Sequence, residues 1–197
     1  MNKLILIGGG GHCKSCIDVI EQEGKYKIIG ILDSKDKLGE KILSYDVIGT
    51  DDDMRKYIFD DCYFLITVGQ IKTYKTREKI YLKLQQEQAK FATVISPRAY
   101  VSQSASIGSG TIIMHDSIIN AEAIIQENCI INTKVIIEHD SIIESHCHIS
   151  TAAVINGNVT VSKGSFFGSN AVSKQGVATT KADFIKAGSC YTGIEKK

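Results

Sequence analysis

Residues 107–155 read IGSGTIIMHDSIINAEAIIQENCIINTKVIIEHDSIIESHCHISTAAVI, and their rhythm decides the fold. Starting from Ile95, every sixth residue is aliphatic or aromatic: Val101, Ile107, Ile113, Ile119, Ile125, Ile131, Ile137, Ile143, Ile149, Ile155, Val161 and Phe167. Two residues before each of these the side chain is mostly small, as at Ala99, Ala105, Ser117, Ala123, Cys129, Ser141, Cys147, Ala153 and Ser165, with Val135 and Val159 the largest. A period of six fits neither an α-helix nor an isolated strand. It fits a chain wound into a three-sided prism, one short strand per side and about 18 residues per coil. The aliphatic residue points inward on each side and the small one sits near the corner. The prism is expected to run to about Ser173, after which the hexad phase fades and 181–197 reads as a terminal strand or tail.

Gross composition sets limits around that core. The chain has 197 residues, 43% hydrophobic and 23% charged, with a net charge of +1. This is an ordinary globular balance that argues against general nucleic-acid or acidic-membrane binding. No apolar run approaches the length of a membrane span, and the opening MNKLILIGGGGH is too short in its apolar part for a secretion signal. The six cysteines read as free thiols in a reducing cytoplasm. Cys129 and Cys147, 18 residues apart, are expected one above the other at corners of the prism, as small core residues.

Ahead of the prism stands a different pattern. Lys3–Gly8 is an apolar strand running into Gly8-Gly9-Gly10-Gly11-His12. An amphipathic helix follows over Cys13–Gln22 and stops at Gly24, then a second strand, Tyr26–Leu32, ends at Asp33. This is a βαβ unit with a glycine turn before the helix. The acidic run 51–53 is expected to cap a short helix before Met54, a third strand covers Cys62–Val68, a charged helix covers Thr73 to about Gln88, and a fourth strand lies near Phe91–Ile95. The domain boundary falls near residue 92. Helix amides at a glycine turn attract phosphate or another anion. An acid at the end of the second strand can accept from ribose hydroxyls. The full dinucleotide fingerprint is not met, because its third glycine would fall at Cys13. A nucleotide or nucleotide-sugar site fits this turn better than NAD, with a tight turn lacking any ligand as the plain alternative.

Within the prism, the position before each inward residue points outward, yet is isoleucine at 112, 118, 124, 130, 136 and 142. Such flanks call for cover, and a homotrimer of prisms packed side by side supplies it. Of the histidines, His139 stands at a turn between sides, flanked by Glu138 and Asp140. A neighbouring carboxylate can orient an imidazole as proton acceptor, and a plain surface histidine in a polar turn fits these residues equally well. His115, His146 and His148 suggest a metal only weakly, since no acidic partner set accompanies them; no metal is expected.

Together these parts resemble the bacterial acyltransferases of sugar and sialic acid modification. They combine a Rossmann-like N-terminal domain with a left-handed parallel β-helix of hexapeptide repeats. Nearest in pattern are the UDP-4-amino-sugar N-acetyltransferases of bacillosamine and legionaminic acid pathways, with sialic acid O-acetyltransferases as relatives. The likeness rests on Gly8-Gly9-Gly10-Gly11-His12, Ile31-Leu32-Asp33, Val68-Gly69, the run from Asn132 to Asp140, His148-Ile149-Ser150 and Gly157-Asn158-Val159. The resemblance implies a nucleotide-sugar-binding domain over 1–92 and an acyltransferase β-helix over 93–197. It implies His139 as general base and Asp140 as the acid that supports it. It places acetyl-CoA against His148, Gly157, Ser169 and Ala187, and the UDP-amino-sugar against Gly10, Gly11, His12, Asp33, Ser34, Gly69 and Asn132. It further implies a cytoplasmic homotrimer acting in glycan or nonulosonic acid biosynthesis. Two departures stand out: the tail reads Tyr191-Thr192-Gly193-Ile194 where the family usually ends G-x-P-A, and Ser34 stands where some nucleotide-sugar members have a second acid. Sialic acid O-acetylation, a zinc hydratase on the same prism, and a non-catalytic trimeric scaffold are the competing readings.

Overall fold

The computed structural model describes residues 1–195. β1 (Asn2–Ile7), α1 (Gly11–Glu23), β2 (Tyr26–Leu32), β3 (Lys41–Ile42), β4 (Tyr45–Gly49), β5 (Cys62–Ile66), α2 (Lys75–Gln86) and β6 (Lys90–Phe91) build the first unit. Its six-stranded sheet has the order β3-β4-β2-β1-β5-β6 and is parallel except where β3 meets β4. Strands buried on both faces read as continuous apolar runs, as LILI and YFLI do here. α1 ends at Gly24 in the left-handed conformation, its amide bonded back to Ile20 O. The segment expected to be a helix capped by the acidic run is a 3₁₀ helix, Asp51–Tyr57, and Thr50 caps it. Asp52 N donates to Thr50 Oγ1 while Thr50 N donates to Asp53 Oδ2, a reciprocal box.

From Val94 the chain coils. The expected strand over Phe91–Ile95 divides at Ala92-Thr93: Lys90–Phe91 joins the first sheet, and Val94–Ile95 is the first rung of the left-handed β-helix. Three sheets of six rungs form its sides, and every rung but the last pairs in parallel with those eighteen residues away, as Ile113 with Ile131 and Ile119 with Ile137. The inward residues Ile113, Ile119, Ile125, Ile131, Ile137, Ile143, Ile149, Ile155, Val161 and Phe167 form one closed core with Cys129 and Cys147, whose thiols are free and buried. At the corners every sixth residue from 110 to 188 adopts positive φ: glycine at 110, 164, 176 and 188, but Asp116, Glu122, Asn128, Lys134, Asp140, His146, Ala152, Asn158, Asn170 and Ala182 between them. That conformation costs a non-glycine residue about 1–2 kcal/mol. The ladder between coils offsets it.

The coil does not fade at Ser173. Rungs continue at Val177–Ala178, Phe184–Ile185 and Cys190–Tyr191. The period of six persists, but its inward places at 173 and 179 are taken by Ser173 and Thr179, both buried. Each hydroxyl is satisfied by backbone: Asn156 N donates to Ser173 Oγ, and Ser162 N to Thr179 Oγ1. The last rung, Ile194–Glu195, pairs antiparallel with Val177–Ala178.

The outward isoleucines divide by face. Ile112 and Ile130 are fully buried because the first unit lies on that face, where Val94, Ile112, Met114 and Ile130 pack with Leu4, Leu6, Ile17, Ile20 and Leu65. Ile118 and Ile124 remain 38% and 44% exposed, and Ile136 and Ile142 are half-buried. Cover for the first face therefore comes from the chain itself. Among the described residues no helix is long and apolar enough to cross a membrane.

Candidate active site

Three groups of side chains carry the candidate chemistry. The first is the glycine turn. Asp33, at the end of β2, accepts from Gly9 N at 2.6 Å through Oδ2 and from Ser34 N at 2.7 Å through Oδ1, and pairs with Lys37 at 3.0 Å. A Cβ on Gly9 would sit 2.9 Å from that Oδ2, so glycine there is required. Burial pushes the Asp33 carboxyl up, but these donors outweigh it and hold it below the usual carboxylate range. The carboxylate thus ties the turn to the second strand, and Oδ1, with one donor, keeps room to accept another. Gly10 caps α1 with no side-chain bond, and no acid lies in the first turn. Around Gly10 and Gly11 the space is open. The first amides of α1 are left without side-chain partners, which suits an anion.

The second group is the seam between the two units. His12 sits at the start of α1 with its ring centroid 6.4 Å from that of His148. His148 donates from Nδ1 to Gln70 O, so its Nε2 accepts from Asn132 Nδ2 at 3.2 Å. Gln70 Nε2 donates to His146 O at 2.9 Å, and Gly69 packs against His12 Cβ. Burial, then the charge of Arg77, then His148, pull the His12 ring down to about 3. Burial pulls His148 down to about 4, against the upward effect of its bond to Gln70 and with Arg77 adding to the fall. Both rings are neutral at pH 7. His115, bonded to Ser96 Oγ at 2.6 Å and Asp18 Oδ2 at 2.8 Å, tethers the prism to α1. His146 accepts from Asn128 Nδ2 at 2.8 Å. Among the described residues no three metal-ligating side chains gather.

The third group stands at an outer corner. Asp140 occupies a left-handed corner (φ 60), which Asp tolerates better than most residues. This turns its carboxylate back on His139, whose Nδ1 lies 2.7 Å from Asp140 Oδ2. A carboxylate can only accept, so Nδ1 holds the hydrogen and Nε2 presents its lone pair. That Nε2 lies over Gly157, one coil on: a Cβ there would come within 2.7 Å of it. The His139 side chain is 55% exposed. Glu138 accepts from Asn120 Nδ2 and does not touch His139 in this network.

The expected site residues thus separate. Gly10, Gly11, His12, Asp33, Ser34 and Gly69 gather at the turn; His148 and Asn132 join His12 at the buried seam; His139, Asp140 and Gly157 share the corner. Ser169, bonded to Ser150 Oγ at 2.8 Å, accepts from Gly188 N, and Ala187 lies beside Gly168, together at the corner that precedes the His139 corner in each coil. The sequence reading missed Arg77, Gln70 and Asn128. A signal for Arg77 existed: with Ile80, Tyr81 and Leu84 it recurs at helical spacing on the buried side of α2.

Comparison with known proteins agrees in domain order and fold. Residues 3–84 match the PglD N-terminal domain. The UDP-N-acetylbacillosamine N-acetyltransferase of Bacillus subtilis (strain 168) is 35% identical over 116 residues, 58% of this chain and 52% of that protein, so the likeness spans about half the length of this relative. Among solved structures, the acetyltransferase domain of PglB from Neisseria gonorrhoeae FA1090 superposes with a TM-score of 0.88 at 25% identity, covering 100% of this chain and 94% of that one. PerB from Caulobacter crescentus, in complex with CoA and GDP-perosamine, does so with a TM-score of 0.89 at 26% identity, covering 99% and 91%. A PglD-type sheet leading directly into a hexapeptide coil, over the whole described length, is the architecture this chain shares with the acetyltransferase domain of PglB and with PerB.

Proposed function

We propose that the protein is an acetyl-CoA-dependent N-acetyltransferase acting on the amino group of a UDP-activated 4-amino-4,6-dideoxy sugar in bacterial glycan or nonulosonic acid biosynthesis. The observation that carries the reading is the corner: an exposed imidazole, oriented through Nδ1 by Asp140, with Nε2 free above a glycine that leaves room beside it. The uncapped start of α1 supports a diphosphate-bearing acceptor. Relatives support the co-substrates: solved structures of similar proteins hold acetyl-CoA, or CoA with GDP-perosamine.

In this reading the sugar amine attacks the thioester carbonyl as His139 Nε2 takes a proton from nitrogen. The tetrahedral intermediate then collapses, the carbon–sulfur bond breaks, and the thiolate leaves with that proton as CoA. The thioester is already activated, so no covalent enzyme intermediate is needed. Holding amine and thioester together contributes most of the rate, and the base adds about 10²–10⁴-fold. Gly10, Gly11, His12, Asp33, Ser34, Gly69 and Asn132 hold the nucleotide sugar; His148, Gly157, Ser169 and Ala187 hold acetyl-CoA. Because His139 lies at an outer corner while the turn lies across the seam, the complete site forms between neighbouring prisms of a homotrimer, which also covers Ile118 and Ile124.

The test is His139→Ala in a thiol-release assay with acetyl-CoA and UDP-amino-sugars. Turnover should fall about 10²–10⁴-fold, with the mass in solution still that of three chains. Undiminished turnover would remove His139 from the chemistry, and absence of thiol release from the unmodified protein with every amino-sugar would remove the function.

A further inference from the structure

Arg77 is a charged side chain buried, among the described residues, without an opposite charge. It is 1% exposed, and burial pulls its guanidinium down to about 10. Its partners are neutral oxygens: one terminal nitrogen donates to Ile66 O at 2.5 Å and Val68 O at 2.8 Å, the other to Asn128 Oδ1 at 2.7 Å and Asn128 O at 3.2 Å. Its Nε is buried with no hydrogen-bond partner among the described residues. Enclosing a cation on such terms is costly, and a core position on α2 has no need of it. An apolar residue would fill the space more cheaply.

What the fork joins explains why it is there. Ile66 and Val68 bracket the end of β5, and this segment grips the glycine turn. Thr67 N and Val68 N both donate to Ile7 O, Thr67 Oγ1 donates to Gly8 O at 2.6 Å, and Val68 packs on Gly8, whose φ of +101 leaves no space for a side chain there. The next residues, Gly69 and Gln70, meet His12, His146 and His148. Asn128, at the other end of the fork, is a left-handed corner of the prism. It returns a bond from Nδ2 to Arg77 O and another to His146 Nδ1. One planar group thus fixes the turn-bearing segment of one unit to a corner of the other in both distance and angle. A lysine, with a single point of charge, lacks that two-sided geometry.

Resting on the function proposed above, we infer that Arg77 is a positioning residue for the nucleotide-sugar half of the site: through 66–68 and Asn128 it sets where the glycine turn stands relative to the prism. Its bonds go to Ile66, Val68 and Asn128, and it reaches His148 only by way of Gln70, so its loss falls on acceptor binding far more than on acetyl-CoA binding.

Two variants test this, Arg77→Lys and Asn128→Gly; the second keeps the left-handed corner and removes only the side chain. In each, KM for the nucleotide sugar should rise about tenfold, while KM for acetyl-CoA and kcat at saturation stay within about twofold and the thermal transition stays cooperative. Unchanged nucleotide-sugar KM in either folded variant, recovery of the wild-type value by lysine, or a parallel rise in both KM values overturns the inference. If Arg77→Lys does not fold, Asn128→Gly decides alone. If the unmodified protein shows no transfer, the function has failed rather than Arg77. UDP titrated calorimetrically into wild type and both variants then reads the same loss: about tenfold weaker binding in the variants supports the inference, and equal or absent binding overturns it.

Discussion

Adding one methyl group at Gly157 should disable the proposed base without touching it chemically. In Gly157→Ala the new Cβ falls 2.7 Å from His139 Nε2 and 2.8 Å from Cε1. Carbon contacts settle at about 3.5–4.0 Å, so the ring must retreat by about 1 Å. It can do so, because the side chain is half-exposed and free to swing outward. Gly157 is not among the positive-φ positions, so alanine strains no backbone. Folding should hence change by no more than about 0.5 kcal/mol. The retreat is costly for chemistry: it breaks the 2.7 Å register between Nδ1 and Asp140 and draws Nε2 away from the amine. A displacement of that size costs about 10²-fold in rate. The assay is thiol release at saturating acetyl-CoA and sugar, with a melting curve on the same preparation. A second measurement sharpens it: in a His139→Ala background the alanine at 157 should cost almost nothing further, since two changes acting through one ring are not additive. A kcat within about twofold of wild type, or a full additional loss in the double variant, would refute the claim that Nε2 works from its place above Gly157.

Two further outcomes follow from the same geometry. Asp140→Asn keeps the left-handed corner and loses only the charge; an exposed pair of this kind is worth about 0.2–1 kcal/mol, so kcat should drop by about two- to fivefold, and a loss of a hundredfold would show that the carboxylate does far more than orient. The neutral seam histidines make stability pH-dependent. His12 and His148 are pulled from 6.5 to about 3 and about 4. The unfolded chain therefore takes up protons that the folded one refuses. Stability from these rings is complete above pH 6.5 and is lost as pH falls towards 4, at up to about 1.4 kcal/mol per pH unit for each. Urea midpoints between pH 7.5 and 5 should fall accordingly and fall less steeply in His12→Asn; a flat profile would contradict the buried, uncharged seam.

The prism was legible because its inward side chains repeat in register with the coil itself, so one residue type recurs wherever the chain turns back on itself. Its end was not, because Ser173 and Thr179 hold inward places through backbone bonds rather than apolar character. The corners left no trace either: a left-handed residue usually announces itself as glycine, and here lysine, glutamate and alanine serve as well. The glycine turn and Asp33 could be read, since helix amides and a strand-end acid lie close in sequence to the elements that place them. The seam could not. Its partners, Arg77 with Asn128 and Gln70 with His146, are 51 and 76 residues apart, and the charged surroundings of α2 disguise a buried arginine. The histidines at 115, 146 and 148, which suggested a metal only weakly, each bond across to the first unit: His115 to Asp18, the His146 carbonyl to Gln70 Nε2, and His148 to Gln70 O.

The reversed strand Ile194–Glu195 changes the edge that one side of the coil presents. Open solenoid ends are templates: exposed amides and carbonyls invite the first coil of another copy to dock and repeat. Here one side of the terminal rim runs opposite to the other two. A coil whose three sides all travel the same way would pair parallel with two of these sides and antiparallel with the third. Of the edges formed by the described residues, that one is set for a partner running the opposite way from the partners of the other two.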